Sequence, residues 1–252
     1  MTPRPSSRNR RPAAFALAAV FGIASPIAGA QAPLVTLFST QKAGADLPAD
    51  WEVVKITEEK KPTQYKLIDD GGTVVLNAKA DGAATGLGQP TKIDIKATPT
   101  IEWRWKINRL IAAADNAVGS KEDSPVRIVF SFGGDRAKLP LSDRVALTLS
   151  DKRSGKPTPY ATLMYVWSNT VPVGTVIPNP HTGRVQMIVA TSGPAGVGAW
   201  QSQKRNVLED YRKAFNEDPG LLMSIGVLTD TDNTGESVEA WYGDIRLLPA
   251  GR

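Results

Sequence analysis

No cysteine occurs among the 252 residues, and there is a single histidine, His181. The first absence excludes disulfides, cysteine nucleophiles and cysteine-bound zinc. It also excludes a lipoprotein anchor, which needs a cysteine to acylate. The second excludes a multi-histidine metal centre and obliges any Ser-His-Asp triad to use His181. That residue lies in the loop Pro178-Asn179-Pro180-His181-Thr182-Gly183, and no Gly-x-Ser-x-Gly elbow accompanies it. The phosphate-cradling Gly-Lys-Ser/Thr loop is missing as well, since Gly155-Lys156-Pro157 has neither the hydroxyl nor the upstream glycine. Nothing after residue 31 is apolar for long enough to cross a bilayer. No internal repeat or low-complexity run interrupts the chain.

What is present begins with an address. Arg4, Arg8, Arg10 and Arg11 precede an apolar stretch from Ala13 to Ile23, and Ala28-Gly29-Ala30 then offers a small-x-small cleavage site before Gln31. This pattern predicts a bacterial secretory signal peptide over residues 1–30, followed by one domain over residues 31–252. Pro12 after Arg10-Arg11 departs from a twin-arginine signal, so ordinary export is expected, to the periplasm or the medium. The full chain carries 30 basic and 25 acidic side chains. Residues 1–30 hold four arginines and no acid, so the mature chain has 26 against 25, a net charge of +1. A nucleic-acid binder loses its electrostatic support with the signal, and no Lys/Arg cluster replaces it. The remaining 222 residues are enough for one substantial core without disulfides.

The apolar period along that stretch is two. Ile101, Trp103, Trp105 and Ile107 alternate with Glu102, Arg104 and Lys106. Val126, Ile128, Phe130 and Phe132 repeat the pattern, as do Leu221, Met223, Ile225 and Val227. Shorter strands are expected at 34–38, 51–56, 64–68, 73–79, 92–96, 145–149, 160–167, 185–191 and 238–247, with Gly86-Leu87-Gly88 in a loop. One amphipathic helix is expected near 204–216, opened by Asn206 and Glu209 at capping-box spacing and stopped by Asp218-Pro219-Gly220, with Trp200 beside its apolar face. A short helix around 109–116 is a second possibility. About a dozen short strands with Gly/Pro/Asn/Asp turns predict an all-β fold of two packed antiparallel sheets.

Two groups of side chains carry candidate chemistry. The first is the turn Thr229-Asp230-Thr231-Asp232-Asn233-Thr234-Gly235. Asp230, Asp232, Asn233 and Thr234 are candidate calcium ligands, because calcium takes six to eight oxygens and closely spaced Asp before a Gly supplies them. The twelfth position counted from Asp230 is Trp241 rather than Glu, which rejects an EF-hand; Asp123 and Asp244 join the ligand set only if the fold brings them near. The other reading is a polar turn whose side chains bond backbone. The second group is aromatic and charged. Tyr165 and Trp167 share one face of their strand, and Trp241 and Tyr242 lie on opposite faces of theirs. Sugar-binding sandwiches pair such rings with polar groups, so Arg104, Tyr165, Trp167, Arg184, Tyr242 and Asp244 form the candidate ligand set. A tryptophan in a patterned strand is more often core, which is the competing reading for Trp103, Trp105, Trp167 and Trp241.

An ordered set of segments then carries a resemblance: Trp103-Arg104-Trp105-Lys106, Glu122-Asp123 before Arg127, Tyr165-Val166-Trp167, Met187-Ile188-Val189 with Ser192-Gly193, Trp200 before Arg205-Asn206-Val207, and Trp241-Tyr242-Gly243-Asp244-Ile245. Over roughly residues 34 to 248 the chain resembles the bacterial exported family called domain of unknown function 3047. That family has no established activity to carry over, so the resemblance supplies no catalytic residues. The closing strand is similar to those of jelly-roll carbohydrate-binding modules, which implies a jelly-roll-like antiparallel β-sandwich with calcium or sugar near its last strands. The expected function is non-catalytic glycan binding, with no nucleic-acid partner. One alternative is a polysaccharide hydrolase or lyase using paired carboxylates or Tyr165, His181 and Arg184. The other is a structural or partner-binding envelope protein, expected to bury all its tryptophans and to lack a groove.

Overall fold

The hydrophobic alternation folds into two sheets. The computed structural model describes Met1, residues 34–180 and residues 182–250; the expected signal peptide and His181 lie outside the described residues. The strands are β1 (Glu52–Lys55), β2 (Gln64–Asp69), β3 (Val74–Asp81), β4 (Ala84–Ile93), β5 (Thr100–Ile107), β6 (Ser124–Phe132), β7 (Ala161–Ser168), β8 (Val176–Pro178), β9 (Val185–Ser192), β10 (Gln201–Asn206), β11 (Leu222–Asp230), β12 (Ser237–Tyr242) and β13 (Arg246–Leu248). The helices are α1 (Leu141–Ser154) and α2 (Val207–Phe215). Seven strands form one sheet in the order β1-β4-β11-β6-β7-β9-β8. The other runs β10-β5-β12-β3-β2, and β13 pairs with β5 beyond the end of β12. Every pairing between strands is antiparallel except β7 with β9, so the fold is a jelly-roll-like β-sandwich.

The core between the sheets is aromatic. Ile101, Trp103, Trp105 and Ile107 of β5 face Phe130 and Phe132 of β6 and Tyr165 of β7 within one buried cluster. Trp103 stacks on Tyr165 with centroids 4.9 Å apart, and Tyr165 meets Phe130 edge-on. Trp105 Nε1 donates across the sandwich to Thr191 Oγ1 at 3.0 Å, while the buried Trp103 Nε1 has no hydrogen-bond partner among the described residues. Rings of this size supply most of the buried apolar area, and their hydrogen bonds fix how one sheet lies on the other.

Local departures from the expected elements have identifiable causes. Residues 145–149 lie inside α1, not in a strand; Pro140 precedes this helix and Gly155 ends it at φ 67°. Gly86-Leu87-Gly88 lies in the middle of β4 rather than in a loop. A β-carbon on the facing Gly226 of β11 would sit 2.4 Å from the Leu87 carbonyl oxygen, so a glycine there lets two central strands close up. Residues 34–38 form no strand, and only a 3₁₀ turn follows at Phe38–Thr40. No helix forms at 109–116. α2 starts as expected: Asn206 Oδ1 accepts from Glu209 N at 3.1 Å. It ends at Asn216, in the left-handed region at φ 54°, ahead of the expected Asp-Pro-Gly stop. Among the described residues no helix is long and apolar enough to cross a membrane.

Candidate functional site

Three of the expected ligand-binding rings are core side chains. Tyr165 is fully buried, and its hydroxyl donates to Asp210 Oδ2 at 2.7 Å. Burial pushes that hydroxyl well above the ordinary tyrosine range, with Asp210 acting in the same direction. Trp167 is buried and donates from Nε1 to the Gly193 carbonyl at 3.0 Å. Tyr242 is buried opposite Trp105 in the register of β12 and β5. Its hydroxyl bonds Thr229 Oγ1 at 2.7 Å and donates to the Leu228 carbonyl at 2.9 Å, linking the two sheets. Arg184 is buried too: Nη2 meets Glu217 Oε1 at 2.6 Å, Nε donates to the Tyr160 carbonyl, and the guanidinium lies 4.3 Å over the Tyr160 ring. It braces the chain after α2 and is not available to a ligand.

The expected metal residues are brought together, with cations already among them. Asp123, Asp230 and Asp232 converge so that one oxygen from each lies within 4.8 Å of the others. Arg127, itself buried, holds Asp230 in a bidentate pair, Nε to Oδ1 and Nη2 to Oδ2, both at 3.0 Å. Burial pushes the Asp230 carboxyl up to about 6 despite that guanidinium. Lys60 Nζ sits 2.6 Å from Asp232 Oδ2. Asn233 and Thr234 act as donors to Asp123. Their backbone N–H groups, the Asn233 amide and the Thr234 hydroxyl all reach the Asp123 carboxylate within 3.2 Å. Asp123 thereby caps the turn that follows β11, and within that turn Asp232 Oδ1 is buried without a hydrogen-bond partner among the described residues.

The exposed chemistry lies on the outer face of the six-stranded sheet. Of the six tryptophans, Trp51, Trp103, Trp105 and Trp167 are buried, while Trp200 and Trp241 are half-exposed. β12 buries Val238, Ala240 and Tyr242 and turns Glu239 and Trp241 outward. Trp241 stands beside Lys106 of β5, whose outward set is Glu102, Arg104 and Lys106. Lys106 Nζ lies 4.6 Å from the Trp241 ring centroid and 5.1 Å from that of Trp200. Both Asp70 oxygens accept from that ammonium at 2.9 Å, and Trp200 Nε1 donates to Asp70 at 2.8 Å. Asp70 is delivered by the β2–β3 hairpin, where Gly71 and Gly72 take positive φ and Asp69 caps Gly72 N at 3.0 Å. The hydrogen bond from Lys106 holds the Asp70 carboxyl below the ordinary aspartate value against partial burial, with Trp200 assisting.

Arg104 continues this row. Its guanidinium lies 4.4 Å over the Trp200 ring, and its stem crosses Gly243, where a β-carbon would stand 2.6 Å from Arg104 Cγ. Beside it opens a groove of about 470 Å³ lined by Glu102, Arg104, Ser202, Lys204, Asp244 and Arg246 among others. Lys204 pairs with Glu102 at 2.8 Å and Arg246 with Asp244 at 2.9 Å. Burial works to raise the Asp244 carboxyl, but hydrogen bonds from the Ser39 hydroxyl and N–H and from Arg246 bring it below its ordinary value. Thus Arg104 and Asp244 of the expected ligand set do share an open site. Trp200, Trp241, Lys106 and Asp70, which form the row next to that groove, were not in that set. Ser237 and Glu239 flanking the outward positions of β12 mark Trp241, not Tyr242, as the solvent-side ring. A second and larger hollow of about 1020 Å³ lies between β1 and the segment after α1, with Val53, Val54 and Met223 exposed on its wall.

The family profile described as a protein of unknown function, DUF3047, matches residues 49–246. The chain belongs to DUF3047. The profile spans the outer-face residues Asp70, Arg104, Lys106, Trp200 and Trp241, and the capped turn as well. No curated protein matches this DUF3047 chain. Solved structures similar to it include a β-1,2-glucanase from Parabacteroides distasonis, at 12% identity and a TM-score of 0.35. That likeness covers 80% of this chain but 23% of the glucanase. The cellulose induced protein Cip1 is similar at 11% identity and a TM-score of 0.32, over 78% of this chain and 89% of that one. The carbohydrate recognition domain of Emp47p is similar at 14% and 0.35, over 86% and 94%. Scores this low give no basis for transferring a ligand.

Proposed function

We propose that this DUF3047 protein is an exported, non-catalytic glycan-binding β-sandwich, and that it binds through the outer face of its six-stranded sheet. One observation carries the reading: the two tryptophans left outside the core stand together on that face. They are surrounded by fixed polar groups, Asp70, Arg104, Lys106 and the Asn77–Glu239 pair, whose amide-to-carboxylate distance is 3.0 Å. Half-exposed indoles beside charge-fixed donors and acceptors are what a pyranose ring needs, an apolar face to stack on and partners for its hydroxyls. The adjoining groove has the volume of a small-ligand site.

The alternatives have less support. A lyase using Tyr165 and Arg184 would need both at the surface, and both are buried. A hydrolase needs a carboxyl with raised pKa facing an open cleft. Glu102 and Asp244 both line the groove, but each is paired with a cation, Lys204 and Arg246, and the Asp244 carboxyl is lowered, while Asp230 is raised but buried behind Arg127. A purely structural protein was expected to lack a groove and to bury every tryptophan, unlike the face described above. In this reading the acidic turn is a lock at the end of β11, with Arg127 and Lys60 supplying the positive charge that calcium would supply. Export rests on the sequence pattern of residues 1–30, and a mature protein beginning at Gln31, read by intact mass, is the outcome expected. Binding is tested by native affinity electrophoresis of residues 31–252 through a panel of bacterial polysaccharides, with calcium or chelator. Selective retardation, unchanged by chelator and lost in Trp241→Ala, is expected. Migration unaffected by every polysaccharide would reject the glycan reading.

A further inference from the structure

The charges of the outer face are not equally engaged. Lys106 is held by Asp70, Lys204 by Glu102 and Arg246 by Asp244. Arg104 is different. Among the described residues its guanidinium has no hydrogen bond and no carboxylate partner within salt-bridge distance; its contact is the Trp200 ring beneath it. A guanidinium stacked on an indole is held in orientation while the N–H groups along its edge stay free, because the ring engages its face and not its hydrogens. The stem is placed by Gly243, whose missing side chain leaves the path that Arg104 takes. Gly243 N also donates to the Arg104 carbonyl at 2.9 Å, which ties the two backbones together. Arg104 is half-buried and lines the groove.

A fork of N–H donors, pre-oriented and unpaired at a groove wall, is suited to an oxyanion, and its planar geometry matches a carboxylate in a bidentate pair. The neighbouring carboxylates each have a closer cation, Glu102 in Lys204, Asp244 in Arg246 and Asp70 in Lys106; Asp70 also feels the charge of Arg104 but makes no hydrogen bond to it, so the N–H edge of the guanidinium stays unpaired. From these placements we infer that Arg104 is the receptor for the carboxylate of an acidic polysaccharide. A hexuronic acid residue sits in the groove with its carboxylate on the guanidinium, and an adjoining sugar reaches Trp241, because Arg104 already covers Trp200. This inference rests on the glycan-binding reading and narrows it to one ligand class.

The test is affinity electrophoresis of residues 31–252 through polygalacturonate, its methyl ester, a sulfated glycan and a neutral glucan, at two salt concentrations. Wild type is expected to be retarded by polygalacturonate and much less by the methyl ester, which keeps the sugar and removes the charge. Arg104→Gln is expected to weaken that binding about tenfold or more, the loss of one charge-assisted bidentate contact. Arg104→Lys, which keeps the charge and loses the fork, should recover only part of it. Gly243→Ala should weaken binding as well, since it pushes the Arg104 stem aside without removing charge. Melting curves of each variant identify those that fold. Equal retardation by polygalacturonate and its ester, unchanged in Arg104→Gln, would overturn the inference and leave glycan binding standing. Arg104-dependent binding to the sulfated glycan alone would overturn the carboxylate assignment. Retardation by all acidic polymers that vanishes with salt and ignores Arg104 would reduce the effect to net charge and overturn it too. No retardation by any polymer would remove both the inference and the reading beneath it.

Discussion

At the scale of single residues, the molecule separates charges that hold structure from charges that face outward. Asp123 and Arg127 belong to the first kind. Asp123 takes four donors from one turn, and Arg127 neutralises the buried Asp230. Since these oxygens are already engaged, the melting temperature is predicted to be the same in millimolar calcium and in chelator. A rise of several degrees with calcium would show instead that Asp232 Oδ1 recruits the ion. Arg127→Ala should cost about 3–5 kcal/mol in either condition, because it strands a buried carboxylate. Asp70 belongs to the outward kind, and its sign can be worked out. Its folded pKa is lowered by Lys106, so its contribution is present above about pH 4 and is lost as the pH falls through the lowered value. The melting temperature of Asp70→Asn is therefore predicted to lie below wild type at pH 7, with the gap closing below about pH 4. A gap that persists unchanged into acid would mean that Asp70 acts through packing and not through its charge.

At the scale of elements, most of the architecture was legible because period two with turn residues has a single physical meaning. β5 reads Ile-Glu-Trp-Arg-Trp-Lys-Ile and buries every second side chain. The misreadings are where local pattern and tertiary context part. Val145-Ala146-Leu147-Thr148-Leu149 alternates like a strand, yet Pro140 and Gly155 bracket a helix whose Leu147 alone is buried. Gly86 and Gly88 look like loop residues, yet they sit mid-strand where Gly226 of the next strand needs room. β10 is polar throughout, Gln-Ser-Gln-Lys-Arg-Asn, so no hydrophobic signal announces it, and its pairing with β5 supplies the reason it is a strand. The candidate site was half legible for a related reason. Arg104 and Asp244 stood out as charges among aromatics, but two of the partners that complete their face, Asp70 and Trp200, come from a hairpin tip and a loop far away in sequence. Gly226→Ala is predicted to destabilise by about 1–3 kcal/mol, since the Leu87 carbonyl it would strike is backbone in the middle of the sheet. Chemical denaturation checks it, and an unchanged midpoint would mean β4 and β11 can separate freely.

At the scale of the whole molecule, the two sheets divide the work. The seven-stranded sheet and its aromatic interface with the other sheet hold the fold, and the outer surface of the six-stranded sheet carries the two half-buried indoles and the groove. Trp105 and Tyr242 explain why this division is sharp: each reaches across the sandwich with a hydrogen bond, while their strand neighbours Lys106 and Trp241 turn the other way. Binding and stability should therefore be separable by mutation on a single strand. The most direct measurement is a paired titration of Trp241→Ala and Tyr242→Phe against polygalacturonate, each with its melting curve. The account predicts that Trp241→Ala loses binding with little change in melting, while Tyr242→Phe binds like wild type and melts lower by the equivalent of about 1–2 kcal/mol. Full binding by Trp241→Ala, or lost binding by a well-folded Tyr242→Phe, would contradict the assignment of the outer face.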